Sequence, residues 1–118
     1  DPRGPEDKRL PFAEALAGMA GAESLLALGL QLVRDGYVSA ERLFDLLAAN
    51  PAKILGVDAG SLAVGQEADL ILIDEGTPWK IDAKKMAAYA GNTPFDGMPA
   101  QGRVTALWKG GMRVGKAA

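Results

Sequence analysis

The stretch Asn50-Pro51-Ala52-Lys53-Ile54-Leu55-Gly56, followed by Gly60-Ser61-Leu62-Ala63-Val64-Gly65-Gln66-Glu67-Ala68-Asp69-Leu70-Ile71-Leu72-Ile73-Asp74, is where this chain changes character. Upstream of Gly56 the apolar residues recur at helical spacing. Downstream they form short alternating or continuous runs bounded by glycine and aspartate, which suit strands. Helices first and strands after define an α+β class.

Upstream, residues 22–35 read as a helix. Glu23 stands near its positive end, Arg34 near its negative end, and Gly36 is a suitable terminator. Leu25, Leu26, Leu28, Leu30, Leu32 and Val33 make it apolar around much of its circumference, which requires burial on more than one side. Ser39 reads as the N-cap of a second helix through about Ala49, with Leu43, Phe44, Leu46 and Leu47 as its apolar stripe. Asn50-Pro51 is expected to break that helix, because the residue before proline avoids helical geometry. Asn50 would then cap a short new turn ending at Gly56.

Downstream, Leu62 and Val64 between Gly60 and Gly65 suit a short strand. Leu70 to Ile73 is apolar on both faces, so that strand is expected inside a sheet covered on both sides. Asp82 reads as the cap of a short helix over 83–89. Val104 to Lys109, Gly110-Gly111 and Met112 to Val114 read as a hairpin, because paired glycines supply the positive φ of a two-residue turn. Trp79 and Trp108 read as packing residues. Asp69 and Asp74 flank an apolar run and read as strand ends or backbone partners.

Residues 1 to about 20, with Pro2, Pro5 and Pro11, read as loop. The chain opens at Asp1 without a methionine, and the expectation is a piece of a longer protein. The chain has 118 residues, 48% hydrophobic and 24% charged, with no cysteine and no histidine. That composition fits a folded domain and excludes disulfide and thiol chemistry. A net charge of −2 gives no electrostatic case for a nucleic-acid or anionic-membrane partner. No apolar run is long enough to span a membrane, no signal peptide is visible, and a cytoplasmic location is the expectation. No phosphate loop, Ser-His pairing or zinc-ligand spacing is present. The helices of the first half have no evident sheet of their own to cover them. That argues for partner structure beyond them and against an independent small binding domain.

Taken together, Gly18-Met19-Ala20-Gly21-Ala22-Glu23, Asn50 to Gly56, Ala68-Asp69-Leu70, Asn92-Thr93-Pro94-Phe95-Asp96-Gly97 and Gly110-Gly111, with Glu6-Asp7-Lys8 ahead of them, resemble the C-terminal portion of the dihydroorotase family. This is the long-chain type, related to allantoinase and hydantoinase. The Ala-Asp-Leu strand is shared by many amidohydrolases. The Asn-Thr-Pro-Phe-x-Gly segment narrows the resemblance to dihydroorotase.

The resemblance implies the C-terminal end of an amidohydrolase (β/α)8 barrel, with residues 1–56 as active-site loop and last barrel helices. Residues 57–118 would form part of a flanking small β-sandwich. It implies zinc-dependent interconversion of dihydroorotate and N-carbamoyl-L-aspartate in pyrimidine synthesis. Zinc would activate the attacking water and an aspartate would carry the proton. The zinc ligands would lie outside this chain, which alone is expected to be inactive. Implied partners are the remaining N-terminal part of the protein, a second copy in a homodimer, and aspartate carbamoyltransferase. With the last, a non-catalytic relative would serve as a structural partner. Another cyclic amide, as for allantoinase or hydantoinase, is the remaining alternative.

Three positions carry site expectations. Asp1 is a candidate catalytic base by its neighbourhood. The register of Glu6-Asp7-Lys8, however, sets Asp1 on the alanine of the family's Asp-His-Ala-Pro motif and Pro2 on its proline. The motif's aspartate and histidine would fall before residue 1. The family holds the substrate ring through backbone groups of a Pro-Phe-Gly stretch, and the aligned residues are Leu16, Ala17 and Gly18. Ala17 and Gly18 are therefore the substrate-binding candidates, although Leu16 and Ala17 depart from the pattern.

Overall fold

The computed structural model describes residues 6, 9–15 and 17–115. Its elements are helices α1 (Leu25–Arg34), α2 (Ala40–Phe44) and α3 (Asn50–Leu55), then strands β1 (Leu70–Lys80), β2 (Pro99–Lys109) and β3 (Met112–Val114). The strands form one antiparallel sheet in the order β1-β2-β3. The fold is α+β, as expected.

Helix α1 begins later than the sequence pattern suggests, because residues 22–24 form a turn held by Ser24, whose Oγ donates to the Gly21 carbonyl at 3.2 Å. Its C-terminus is closed by Gly36 at φ 77°, with Tyr37 N–H donating to the Leu32 carbonyl at 2.9 Å. Ser39 caps α2 as expected, accepting from Arg42 N–H at 3.1 Å.

The expected break at Asn50-Pro51 does not occur. A five-residue π-helical segment, Asp45–Ala49, joins α2 to α3, and Asn50 is helical at φ −69° and ψ −45°. Asn50 N–H bonds to the Asp45 carbonyl, five residues back. In a regular α-helix the Pro51 ring would strike the carbonyl four residues earlier. The wider π turn removes that clash, so the helix runs through the proline. Asn50 therefore caps nothing.

The sheet departs from expectation in three places. Leu62 and Val64 form no strand and stand in solvent, with Val64 at 106% exposure, because no described strand lies beside them. The apolar run Leu70 to Ile73 opens a strand that continues to Lys80. Its faces are not both covered within this chain: Leu70, Ile71 and Leu72 remain exposed. The helix expected over 83–89 is one 3-10 turn, Ala83–Lys85, capped by Asp82, which accepts from Lys84 N–H at 3.0 Å. The hairpin forms as read, with Gly110 and Gly111 at φ 56° and 78° between β2 and β3.

Helix α1 finds its cover in the second half of the chain. It packs against β2 and α2, with Ala27, Leu30 and Leu43 buried at the junction. Ile81 is fully buried just beyond β1, and its backbone is paired on both sides: it donates to Met98 at 3.0 Å and accepts from Gly97 at 2.8 Å. The Asn92–Gly97 segment is thereby fastened to the sheet.

Candidate functional site

The substrate-binding candidates Ala17 and Gly18 lie on an exposed loop that leads into the turn before α1. Gly18 adopts φ 99°, with open space where a side chain would begin. An L-residue is strained there, so glycine is the natural occupant. Asp1 and Leu16 lie outside the described residues.

The loop is fastened at three points to the segment that follows β1. Asn92 Nδ2 donates to the Gly18 carbonyl at 3.3 Å. Ala20 N–H donates to the Asn92 carbonyl at 3.4 Å. Glu23 Oε1 accepts from Ala88 N–H at 3.2 Å. From sequence Glu23 reads as a helix-dipole residue and Asn92 as part of the family segment, and neither residue type announces a contact across some seventy positions. The one available signal was that Asn92 opens the Asn-Thr-Pro-Phe-Asp-Gly segment. Within that segment Thr93 Oγ1 accepts from Phe95 N–H at 3.2 Å, and Asp96 Oδ1 accepts from Ala83 N–H at 2.9 Å. These bonds shape a turn.

The remaining carboxylates singled out by sequence are structural. Asp69 pairs with Lys109 and accepts from Gly110 N–H at 2.9 Å, which locks the hairpin turn to the start of β1. The Lys109 hydrogen bond, then the Gly110 amide, hold its pKa below the ordinary carboxylate value against a smaller opposing desolvation. Asp74 sits at an irregularity of β1, not at its end. It accepts from the Thr77 hydroxyl at 2.6 Å and from Gly76 N–H at 2.8 Å. Those bonds, the hydroxyl first, lower its pKa as well. Both carboxylates are engaged in local bonds, which suits holding a turn rather than moving a proton.

Trp79 packs as expected, its ring half-buried and its Nε1 donating to the Gly102 carbonyl at 2.9 Å, with the Arg103 guanidinium 4.8 Å from the ring centre. Trp108 lines an apolar groove of ≈ 890 Å³ between Phe44, Ala48 and the Leu70–Ile73 run. That groove does not include Ala17 or Gly18. A second groove of ≈ 460 Å³ lies between α1 and the sheet, with Glu23 on its wall.

The donor chemistry of this chain does not fit zinc. It has no histidine or cysteine, and among the described residues no cluster of three carboxylates could hold a metal ion. Among the described residues, no helix is long and apolar enough to cross a membrane.

Comparison with known proteins agrees with this geometry. The chain is 42% identical over 111 residues to the dihydroorotase of Geobacter metallireducens, covering 94% of this chain and 26% of that protein. It is 35% identical over 113 residues to the dihydroorotase of Anaeromyxobacter dehalogenans, covering 96% and 26%. The chain thus spans about a quarter of the length of these relatives. Among solved structures, L-hydantoinase from Arthrobacter aurescens superposes with a TM-score of 0.81 at 33% identity, over 90% of this chain and 25% of that one. A D-hydantoinase superposes at TM-score 0.83 over 95% of this chain and 25% of that one, and at 24% identity it supports the fold alone. The profile of the Amidohydrolase family matches residues 10–114, nearly the whole chain, and the chain belongs to that family.

Proposed function

We propose that this chain is the C-terminal part of a dihydroorotase that interconverts dihydroorotate and N-carbamoyl-L-aspartate by opening and closing the cyclic amide. The observation that carries this reading is the 42% identity to a dihydroorotase along 94% of the chain. The Asn92–Gly97 segment and the glycine loop at residue 18 support it, since both stand in the order the family resemblance requires.

In this reading residues 1–56 supply an active-site loop and the last barrel helices, and residues 57–118 supply part of the flanking sandwich. Zinc would be held by residues outside this chain and would supply the activated water. What this chain does is bind and orient. Gly18 and Ala17 present backbone groups at the mouth of the barrel, where barrel enzymes place their chemistry. The exposed strand Leu70 to Ile73 and the loop at Leu62 and Val64 would be covered by the rest of the protein. A homodimer, association with aspartate carbamoyltransferase and a cytoplasmic location belong to the same proposal.

A second reading, action on a hydantoin-type ring, is favoured by the 33% identity to L-hydantoinase. The test is an assay of the full-length protein on dihydroorotate, carbamoyl aspartate and hydantoin, with products separated by chromatography. Turnover of dihydroorotate in both directions is expected. Turnover of hydantoin alone replaces the first reading with the second. No turnover by a zinc-loaded, folded protein leaves the non-catalytic partner role.

A further inference from the structure

We infer that Asn92 is a positioning residue for the substrate loop, acting through its hydrogen bond to Gly18. The inference rests on the reading of Gly18 as a backbone contact to substrate, and adds the residue that sets where that contact lies.

Gly18 has no side chain to anchor it. It is exposed, and the space beside its Cα is open. Hydrogen bonds to its backbone and to its neighbours therefore help fix its location. Asn92 makes two around it: its side-chain amide donates to the Gly18 carbonyl at 3.3 Å, and its main-chain carbonyl accepts from Ala20 at 3.4 Å. A carbonyl only accepts, so the Asn92 group facing Gly18 must be the NH2 and not the oxygen.

The base of this bracket is firm. Thr93 N–H donates to Gly91 at 2.9 Å, Asp96 accepts from Ala83 at 2.9 Å, and Gly97 donates to the fully buried Ile81 at 2.8 Å. These bonds hold the chain on the C-terminal side of Asn92, and from Asn92 two further bonds reach the loop. The Glu23 bond to Ala88 steadies the same loop from its other end. Losing the Asn92 amide would let the loop drift while leaving the core intact. A hydrogen bond to substrate weakens once its distance and angle drift, so the loss is expected in binding.

The experiment is steady-state kinetics of the full-length protein on dihydroorotate with Asn92→Ala, Asn92→Asp, Asn92→Gln and Gly18→Ala, each checked by thermal melting. Asn92→Asp keeps the shape and removes the donor; Asn92→Gln keeps the donor. Expected are KM increases of about three- to tenfold for the alanine and aspartate variants. Their kcat should stay within about twofold and their melting within a few degrees, with Asn92→Gln recovering part of the loss. Unchanged KM in Asn92→Ala beside a raised KM in Gly18→Ala overturns the inference and leaves the Gly18 reading standing. Unchanged KM in both overturns the Gly18 reading and the inference with it. A collapse of melting temperature in all three Asn92 variants gives Asn92 a purely structural role and also overturns the inference.

Discussion

Leu30 rests directly on Gly102. A Cβ built on Gly102 would lie 2.6 Å from Leu30 Cδ1, and Gly102 holds φ 99° opposite the irregular stretch of β1 between Asp74 and Pro78. Strand β2 is thus kept smooth where Leu30 of α1 lands on it. Gly102→Ala adds backbone strain and a clash with a buried side chain, and a loss of about 2–4 kcal/mol is expected. Gly36→Ala is the control: it has a similar φ of 77° and open space around it, so strain alone remains, about 1 kcal/mol. Thermal melting of the two variants in the full-length protein measures the difference. Equal shifts would mean that the Leu30 contact contributes nothing.

The same residue is also held by Trp79, whose Nε1 donates to the Gly102 carbonyl at 2.9 Å. Trp79→Phe keeps an aromatic ring but removes the donor and part of the indole's bulk. The expected cost is at least about 1 kcal/mol, the usual net value of a part-buried hydrogen bond plus the lost packing. Arg103→Ala, which removes the cation stacked on the ring, should cost less, about 0.5 kcal/mol. A larger loss from Arg103→Ala than from Trp79→Phe would contradict this ordering.

Asp69 and Lys109 set a pH signature on the hairpin. The folded pKa of Asp69 is lowered, so its contribution is present above its unfolded value and fades as pH falls through the folded one. The folded pKa of Lys109 is raised, chiefly by Asp69, so its contribution is full below its unfolded value and fades as pH rises through the folded one. The pair therefore acts across the whole neutral range and is lost at both extremes. Asp69→Asn loses the ion pair but can still accept from Gly110; Asp69→Ala loses both. Amide exchange at Gly110 and Gly111 should be faster in the alanine variant than in the asparagine one. Equal exchange in wild type and Asp69→Ala would remove Asp69 from the turn.

Much of this fold was legible where a single residue dictates local geometry. Ser39 capped its helix, Gly36 ended one, and Gly110-Gly111 turned the hairpin, because each requirement is satisfied within a few residues. What failed was decided at longer range. Pro51 should have broken the helix, yet a π turn widened the backbone ahead of it. Leu62 and Val64 alternate as a strand does, but a strand exists only beside a partner. The site divided the same way. Gly18 was reachable from its family resemblance and its φ is consistent with a glycine requirement. The bond from Asn92 to Gly18 joins residues that the fold alone brings together, and nothing in either residue type specifies it.

The absence of histidine and cysteine in this chain makes a simple calorimetric prediction. Residues 1–118 titrated with zinc at micromolar concentration should show no stoichiometric site, because the strong donors, imidazole and thiolate, are missing. A one-to-one isotherm would require a carboxylate site that the described residues do not contain.

The last prediction concerns folding. This chain exposes 8749 Å², whereas a folded monomer of 12.3 kDa should expose about 6,100 Å². Its radius of gyration is 16.4 Å, against about 13–14 Å for a compact domain of this length. Among the described residues Phe12, Ile54, Leu62, Val64 and Tyr89 all face solvent, while the buried hydrophobic core is Ala27, Leu30, Leu43, Ala52 and Ile81. So small a core cannot offset the conformational entropy of ordering some hundred residues, roughly 1–2 kcal/mol each for the backbone alone. Expressed by itself, the 118-residue segment should aggregate or remain partly unfolded, with weak near-ultraviolet circular dichroism and a broad melt. In the proposed reading, co-expression with the N-terminal part of the dihydroorotase should restore a soluble complex. A monomeric segment that melts cooperatively on its own would show that α1, the sheet and the Ile81 junction suffice as a domain.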